Sequence, residues 1–205
     1  MRRSLTLAIL IALSAAFTRS AALAADFDCF ITDPQGDATV SLGEGFVGAP
    51  YEDVLRSGVS RTGTSLTFYM EVAAPIPAAP ALKNPNGLIL WMWGASTGPG
   101  SPKGYPLAPG VAGALEFWVD VNWDGSAFHA QFVDRRPSLE GGTPIVTSVP
   151  FTIAGARVTV TVDASLFGDP PTFRWGSSTW AWPSHFGSTA PHKLDAAPIG
   201  ASTCP

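Results

Sequence analysis

The stretch Phe117–Gly125, with the sequence FWVDVNWDG, places oxygen-bearing side chains at the spacing of a metal-binding loop. Its residues Asp120, Asn122 and Asp124, followed by glycine, match the opening of a calcium loop, D-x-[DN]-x-[DN]-G. The same residues alternate in polarity, as a β-strand entering an Asp-Gly turn does. The twelfth loop position is Gln131, where an EF-hand has a bidentate Glu, and strand patterns stand where helices are required. The sequence therefore predicts a hairpin rather than an EF-hand.

A two-residue turn at this Asp-Gly pair would fix how the two strands pair. It places the large apolar residues on one face, which supports that register. The pairs on that face are Trp123 with Ser126, Val121 with Phe128, Val119 with Ala130 and Phe117 with Phe132. On the polar face the same register sets Asp120 opposite His129 and Trp118 opposite Gln131. This polar face is a candidate ligand surface.

Alternation of period two extends along much of the chain and indicates β-strands. Residues 54–72 read as a hairpin, whose second strand SLTFYMEV carries Thr67, Tyr69 and Glu71 on its polar face. Another hairpin is predicted around residues 154–155, and FRWGSSTWAW supplies one or two more strands. Residues 163–168 form one helical turn at most. Several short strands between Gly- and Pro-rich turns predict an antiparallel sandwich or barrel.

The first residues have the features of a secretory signal peptide. Arg2 and Arg3 precede an apolar run from Leu5 to Phe17, and Ala22-Leu23-Ala24 fits an A-x-A cleavage site. The run is about 13 residues, shorter than the roughly 20 that a membrane-spanning helix needs. We therefore expect residues 1–24 to be removed, a secreted or periplasmic protein, and no stable membrane anchor afterwards.

The mature chain is acidic and long enough for one domain. Removing residues 1–24 takes away three arginines and no acid, so 9 basic residues stand against 16 acidic ones, a net charge of −7. This charge argues against binding to nucleic acid. Residues 25–205 are expected to form a single β-sandwich domain with a sizeable core.

Cys29 and Cys204, the only cysteines, lie near the two ends of the mature chain. In an oxidising compartment the simplest prediction is one disulfide between them, which joins the first strand to the tail. Two free thiols or an intermolecular bond are the alternatives.

Seven tryptophans provide aromatic surface on which a sugar ring could stack. Strand parity puts Trp123 in the core and Trp118 on a polar face, while Trp91 and Trp93 share one face of LILWMW. The alternative is that most of these rings fill the core, because Trp is highly buried on average. The candidate ligand-binding residues are Trp91, Trp93, Trp118, Asp120, His129, Trp180 and Trp182.

Catalysis has little support in the sequence. The bases available at neutral pH are His129, His185 and His192, and no G-x-S-x-G or H-E-x-x-H motif accompanies them. We therefore expect a non-catalytic protein.

Several short motifs resemble those of a known group of secreted bacterial proteins. They are DPQGD at residues 33–37, Glu52-Asp53 leading into residues 54–77, Trp118-x-Asp120, VTVTVDASLFG and the closing DAAPIG. Together they are similar to family 9 carbohydrate-binding modules and the related DOMON (dopamine β-monooxygenase N-terminal) domains. The resemblance implies an immunoglobulin-like β-sandwich. The alternation described above indicates an all-β, antiparallel fold of about seven to nine strands without substantial helix. The resemblance also implies a sugar, haem or calcium as the ligand, or no ligand at all.

For calcium, the resemblance points to Asp33, Asp37 and Asp53 as oxygen ligands of a structural site. The alternative is that residues 33–36 form an ordinary turn with a side-chain cap on its backbone. For haem, the axial ligands would be Met and His. Met70 lies on an apolar strand face and is expected in the core, which leaves Met92 and His185.

The sequence thus predicts a secreted module that recognises a glycan or another extracellular ligand, with calcium as a candidate cofactor. A structural or surface protein with no small-molecule ligand is the alternative. A haem-binding DOMON-like domain or an enzyme ranks third.

Overall fold

A computed structural model of the chain describes residues 27–39, 48–82, 86–98, 106–108, 111–182, 192–195 and 202–204. These residues form fourteen β-strands, one short α-helix and two 3-10 turns. The prediction of an all-β fold without substantial helix is therefore confirmed. Seven strands have seven residues or more, and seven shorter ones raise the total above the expected seven to nine.

The strands are β1 (Phe27–Thr32), β2 (Val54–Thr62), β3 (Ser65–Val72), β4 (Leu88–Ser96), β5 (Pro106–Ala108), β6 (Val111–Ala114), β7 (Phe117–Trp123), β8 (Phe128–Asp134), β9 (Ile145–Ser148), β10 (Phe151–Ala154), β11 (Arg157–Asp163), β12 (Phe173–Trp182), β13 (His192–Asp195) and β14 (Ser202–Cys204). The helix α1 is Arg136–Leu139, and the 3-10 turns are Pro50–Glu52 and Ala164–Phe167.

The strands form two main antiparallel sheets and a separate β5–β6 pair. The five-stranded sheet has the order β1-β2-β3-β11-β10. The seven-stranded sheet has the order β13-β12-β4-β7-β8-β9, with β14 also pairing with β12. This arrangement confirms the predicted antiparallel β-sandwich.

One apolar core joins the two sheets. Phe68 of the five-stranded sheet lies 6.1 Å from Trp93 of the seven-stranded sheet, measured between ring centroids. Phe167, from the second 3-10 turn, packs between the sheets with its ring 5.8 Å from Phe68 and 5.0 Å from Phe117. Fully burying each such side chain contributes roughly 1.5–3 kcal/mol. Met70 is also completely buried in this core, as the sequence predicts.

Two of the predicted hairpins are confirmed. Strands β2 and β3 pair antiparallel up to Thr62 and Ser65, and Gly63 between them has φ 58°. Strands β10 and β11 pair up to Ala154 and Arg157, with Gly155 at φ 60°. Both turns need a residue with positive φ, which glycine adopts without steric cost.

The hairpin of β7 and β8 is confirmed, but its predicted register is wrong by two residues. Trp123 pairs with Phe128 rather than Ser126, so that Asp120 lies opposite Gln131 rather than His129. The loop contains four residues, 124–127, rather than two. The Asp124 carboxylate stabilises this longer loop by accepting hydrogen bonds from other loop residues. These donors are the Ser126 amide and hydroxyl and the Ala127 amide, each at 2.8 Å.

The shift of two residues leaves each side chain on its predicted face, because strand side chains alternate with period two. Phe117, Val119, Val121 and Trp123 are accordingly all in the core. Residues 1–24, the predicted signal peptide, lie outside the described residues.

Candidate ligand-binding site

The outward face of the five-stranded sheet contains an open recess of about 220 Å³. Strands β1, β2, β3 and β11 supply its lining, and the recess is called the Tyr69 recess below. Its lining residues are Asp28, Arg56, Ser60, Thr67, Tyr69 and Arg157. All six side chains carry a hydrogen-bonding group, so the recess suits a polar ligand.

The ring of Tyr69 occupies space that is free because its neighbour on β2, Gly58, has no side chain. Gly58 of β2 pairs with Tyr69 of β3, and a Cβ placed on Gly58 would lie 2.2 Å from Cζ of the tyrosine ring. The ring therefore lies over the backbone of β2, where only glycine leaves enough space. The residue is only 5 % exposed, which makes Tyr69 part of the wall of the recess rather than a free stacking platform.

Two arginines stand beside the tyrosine ring. The guanidinium carbon of Arg157 is 4.3 Å from the ring centroid of Tyr69, and that of Arg56 is 5.9 Å away. Arg56 also lies 3.9 Å from the ring centroid of Phe30 on β1. These distances are typical of cation–π contacts, which hold the planar guanidinium groups in defined positions.

The electrostatic environment keeps Tyr69 protonated. Burial raises the pKa of its hydroxyl above the ordinary value of 10.0, and the negative charge of Asp28 raises it further. The positive charges of Arg56 and Arg157 act in the opposite direction but do not reverse the rise. At neutral pH the hydroxyl is therefore a hydrogen-bond donor, and it lies 3.5 Å from Oδ1 of Asp28.

Sequence reasoning did not identify this site. Strand alternation placed Thr67 and Tyr69 on the outward face, which was the one available signal. Asp28 and Arg157 are far apart in the chain and join the recess through strand pairing. No short sequence motif predicts such an arrangement, because each lining residue belongs to a strand with the usual alternation of polar and apolar side chains.

The predicted tryptophan site is divided between the core and the opposite sheet. Trp91 and Trp93 are completely buried between the sheets, which corrects the expectation that they bind a ligand. Their indole Nε1 atoms donate to Tyr51 O and Ser57 Oγ, so both rings are anchored inside. The physical reason is parity, because both rings share the inward face of β4 with Ile89.

Trp118 and Trp180 lie on the outward face of the seven-stranded sheet, but they are not neighbours. Trp118 pairs through Gly94 with Gly176 on β12, the strand that carries Trp180. The backbone positions of the two tryptophans are separated by two strand spacings, about 10 Å across the sheet, and by four residues, about 13 Å along the strands. They do not form one stacking platform. Trp182 ends β12, and nothing is described of its side chain.

Asp120 is fully buried although it lies on the outward face. It accepts hydrogen bonds from the amides of Asn122 at 2.8 Å and Gln131 at 3.0 Å. Burial raises the pKa of its carboxyl above 3.8, and the two amide hydrogen bonds only partly offset that effect. Asp120 is thus part of a closed polar cluster and is not accessible to a ligand.

His129 is exposed and separate from that cluster. Its Nε2 lies 3.0 Å from Oδ2 of Asp124, the residue that organises the hairpin loop. Hydrogen bonds from the Ala127 amide and the Ser126 hydroxyl and amide lower the pKa of Asp124. The predicted pairing of Asp120 with His129 is therefore wrong, and His129 is bonded to the hairpin loop instead.

Of the three expected calcium ligands, Asp53 contacts the turn that contains Asp33. Oδ2 of Asp53 accepts a hydrogen bond of 2.8 Å from the amide of Gly36, while Asp37 is exposed. Asp33 donates its own amide to Leu55 O. Among the described residues, no three His, Cys, Asp or Glu side chains are placed to hold a metal ion. Asp53 provides one side-chain cap on this turn, and calcium binding stays a prediction.

Cys29 lies in the edge strand β1 of one sheet, and Cys204 lies in β14, which is attached to the other sheet. Strands β1 and β14 are in contact, which brings the backbones of the two cysteine-bearing strands together. The disulfide remains a prediction. His185, considered as a haem ligand, lies outside the described residues, and Met92 is half-buried on β4.

Comparison with known proteins finds no matching family model, curated protein or solved structure. The similarity to carbohydrate-binding and DOMON-like proteins therefore rests on the short motifs alone. In the described part of the chain, no helix combines the length and apolar character needed to span a bilayer.

Proposed function

We propose that this chain is a secreted, non-catalytic recognition module that binds a glycan or a similar polar extracellular ligand in the Tyr69 recess. One observation carries the proposal: six side chains able to form hydrogen bonds converge around an open recess of about 220 Å³. Polar groups that surround a concave surface supply orientation and specificity to a bound ligand.

The size of the recess limits what it can enclose. Pockets for drug-sized ligands are about 300–1,000 Å³, so this recess would enclose only one ring-sized unit of a larger molecule. An oligosaccharide fits this description, because one sugar unit can enter while the others extend over the sheet. Four strands form the walls, and a rigid scaffold lowers the entropy lost when the ligand binds.

The hydroxyl groups at the centre of the recess provide the direct test. Thr67→Val and Tyr69→Phe each remove one hydroxyl and keep nearly the same shape. We expect each variant to weaken glycan binding on an array and in calorimetry by about 5- to 10-fold, the effect of one net hydrogen bond of about 1 kcal/mol. Thr152→Val, on the exposed outward face of β10 and outside the recess, is the matched control and should bind as the wild type does.

A structural or surface protein without a small-molecule ligand is the second candidate. It is favoured by the burial of Trp91, Trp93, Trp123 and Trp175, because these rings are core and not a sugar platform. Absence of binding to every glycan on the array would favour this second candidate. Secretion itself is tested by N-terminal sequencing of the exported protein, which should begin just after Ala24.

A further inference from the structure

The Tyr69 recess differs in charge from the rest of the molecule. The chain has a net charge of −4, yet two of the six lining residues are arginines and one is an acid. Arg157 has an ion pair with Glu71 at 3.3 Å, but these side chains are 48 % and 37 % exposed. A surface pair of this kind contributes little to stability, so Arg157 can exchange it for a ligand.

Arg56 differs from Arg157 in its ionic contacts within the described residues. Among the described residues, no carboxylate lies within ion-pairing distance of its guanidinium group. Its Nε atom is buried and has no hydrogen-bond partner in the same part of the chain. Stacking on Phe30 positions the group but neutralises none of its charge. A buried donor on a charged group without an acceptor is unfavourable, and an acceptor supplied by a ligand would improve its environment.

The lining also provides more donors than acceptors. Both guanidinium groups donate, and the hydroxyls of Ser60 and Thr67 can do so, whereas the Tyr69 hydroxyl already donates to Asp28. Asp28 is the one carboxylate of the lining, and it lies at the tyrosine hydroxyl, 3.5 Å away. Guanidinium groups bind planar carboxylates through paired hydrogen bonds, which gives both affinity and orientation.

We propose, on the basis of the function proposed above, that the ligand of the Tyr69 recess is an acidic sugar whose carboxylate is bound by Arg56 and Arg157. The ring hydroxyls of the same sugar unit are bound by Ser60, Thr67 and Asp28. The recess thus distinguishes a uronic acid from the neutral hexose of the same shape.

The experiment uses uronic acid oligosaccharides, such as oligogalacturonate, oligomannuronate and glucuronate-containing oligomers, together with their methyl esters. Esterification removes the charge and keeps the sugar backbone, so each ester is a matched control. Calorimetry should show binding of at least one acid form and at least 10-fold weaker binding of its ester. Arg56→Met and Arg157→Met should each reduce binding of the acid form at least 10-fold, and Arg56→Lys should restore part of it. Arg136→Met, an arginine outside the recess, should leave binding unchanged.

Each other outcome overturns the proposal in a different way. Equal binding of acid and ester, with loss in Thr67→Val, would retain glycan recognition and reject the carboxylate. Binding of inorganic sulfate with the same affinity as the oligosaccharide would reduce the site to general anion binding. No binding of any acid, ester or neutral glycan would reject both this inference and the proposed function. Thermal unfolding of each variant confirms that a loss of binding is not a loss of folding.

Discussion

Trp93 and Ser57 are joined by a hydrogen bond that crosses the core from one sheet to the other. The indole Nε1 of Trp93 donates to the hydroxyl oxygen of Ser57 at 2.8 Å. The Ser57 hydroxyl in turn donates to the backbone oxygen of Tyr69 at 3.1 Å. Because Ser57 and Trp93 are both completely buried, this chain of bonds links the far sheet directly to the strand that carries the recess.

This link predicts energetic coupling between the two residues. Trp93→Phe should lower the free energy of unfolding by about 2 kcal/mol, because it removes the donor and leaves a small cavity. Ser57→Ala should lower it by about 1 kcal/mol. Urea unfolding of the double variant should show a coupling of roughly 1 kcal/mol. Strict additivity would mean that the bond contributes nothing to the packing of the sheets.

Gly58 should not tolerate a side chain while Tyr69 is present. Gly58→Ala places its Cβ 2.2 Å from the ring, so the ring must leave its place over β2. We expect a loss of about 1–3 kcal/mol in the free energy of unfolding. In a Tyr69→Ala background the same substitution should cost less than half as much, because the ring is absent. An equal cost in both backgrounds would assign the effect to the backbone of Gly58.

Arg61 is a buried cation that ties distant turns together. It is 1 % exposed, its Nε donates to Gly63 O at 3.0 Å, and its Nη1 donates to Pro170 O at 3.2 Å. Arg61→Ala leaves both carbonyl groups without this donor and should lower the free energy of unfolding by about 2–4 kcal/mol. Arg157→Ala is the control, because its pair with Glu71 is exposed, and it should cost under about 1 kcal/mol. Chemical denaturation measures both.

The burial of Asp120 predicts a specific pH dependence. Because its folded pKa is raised above the unfolded value of 3.8, its contribution to stability is complete below that value and is lost as pH rises through the folded pKa. The stability of Asp120→Asn relative to the wild type should therefore increase from acidic to neutral pH. Urea unfolding of both proteins at a series of pH values measures this difference. A difference that stays constant, or that changes with the opposite sign, would contradict the raised pKa.

The contact between β1 and β14 predicts a disulfide between Cys29 and Cys204. Peptide mapping without reductant should recover the two cysteines in one cross-linked pair from monomeric protein. Cys29→Ser should lower the free energy of unfolding by up to about 5 kcal/mol, the chain-entropy estimate for a loop of this length. Reduced wild-type protein should show the same loss. A mass that corresponds to two free thiols would exclude the bond.

The sequence predicts the fold well because burial imposes a period of two on each long strand. In β3, Leu66, Phe68 and Met70 are fully buried as their spacing predicts. The hairpin register was not predictable in the same way, because loop length depends on the hydrogen bonds of one side chain, Asp124. The burial of Asp120 was not predictable either, since a carboxylate on an outward face is usually solvated.

The recess could not be found from the sequence for a different reason. Its lining comes from strands that begin at Phe27 and end at Asp163, and β11 pairs with β3 although seven strands lie between them in the chain. Neither the space over Gly58 nor the position of Tyr69 within it has a sequence signature. Such a site is defined by the pairing of strands.

The four-residue loop between β7 and β8 has a consequence for how this chain can change over evolution. Because the shorter loop and the observed one place the same residues in the core, length changes of two residues leave the inward and outward faces intact. A one-residue slip in this register would turn Phe128, Ala130 and Phe132 of β8 toward solvent, because pairing with β4 holds β7 in place. Insertions and deletions at residues 124–127 should therefore involve two residues at a time, so the length of this loop in related chains should differ by an even number of residues.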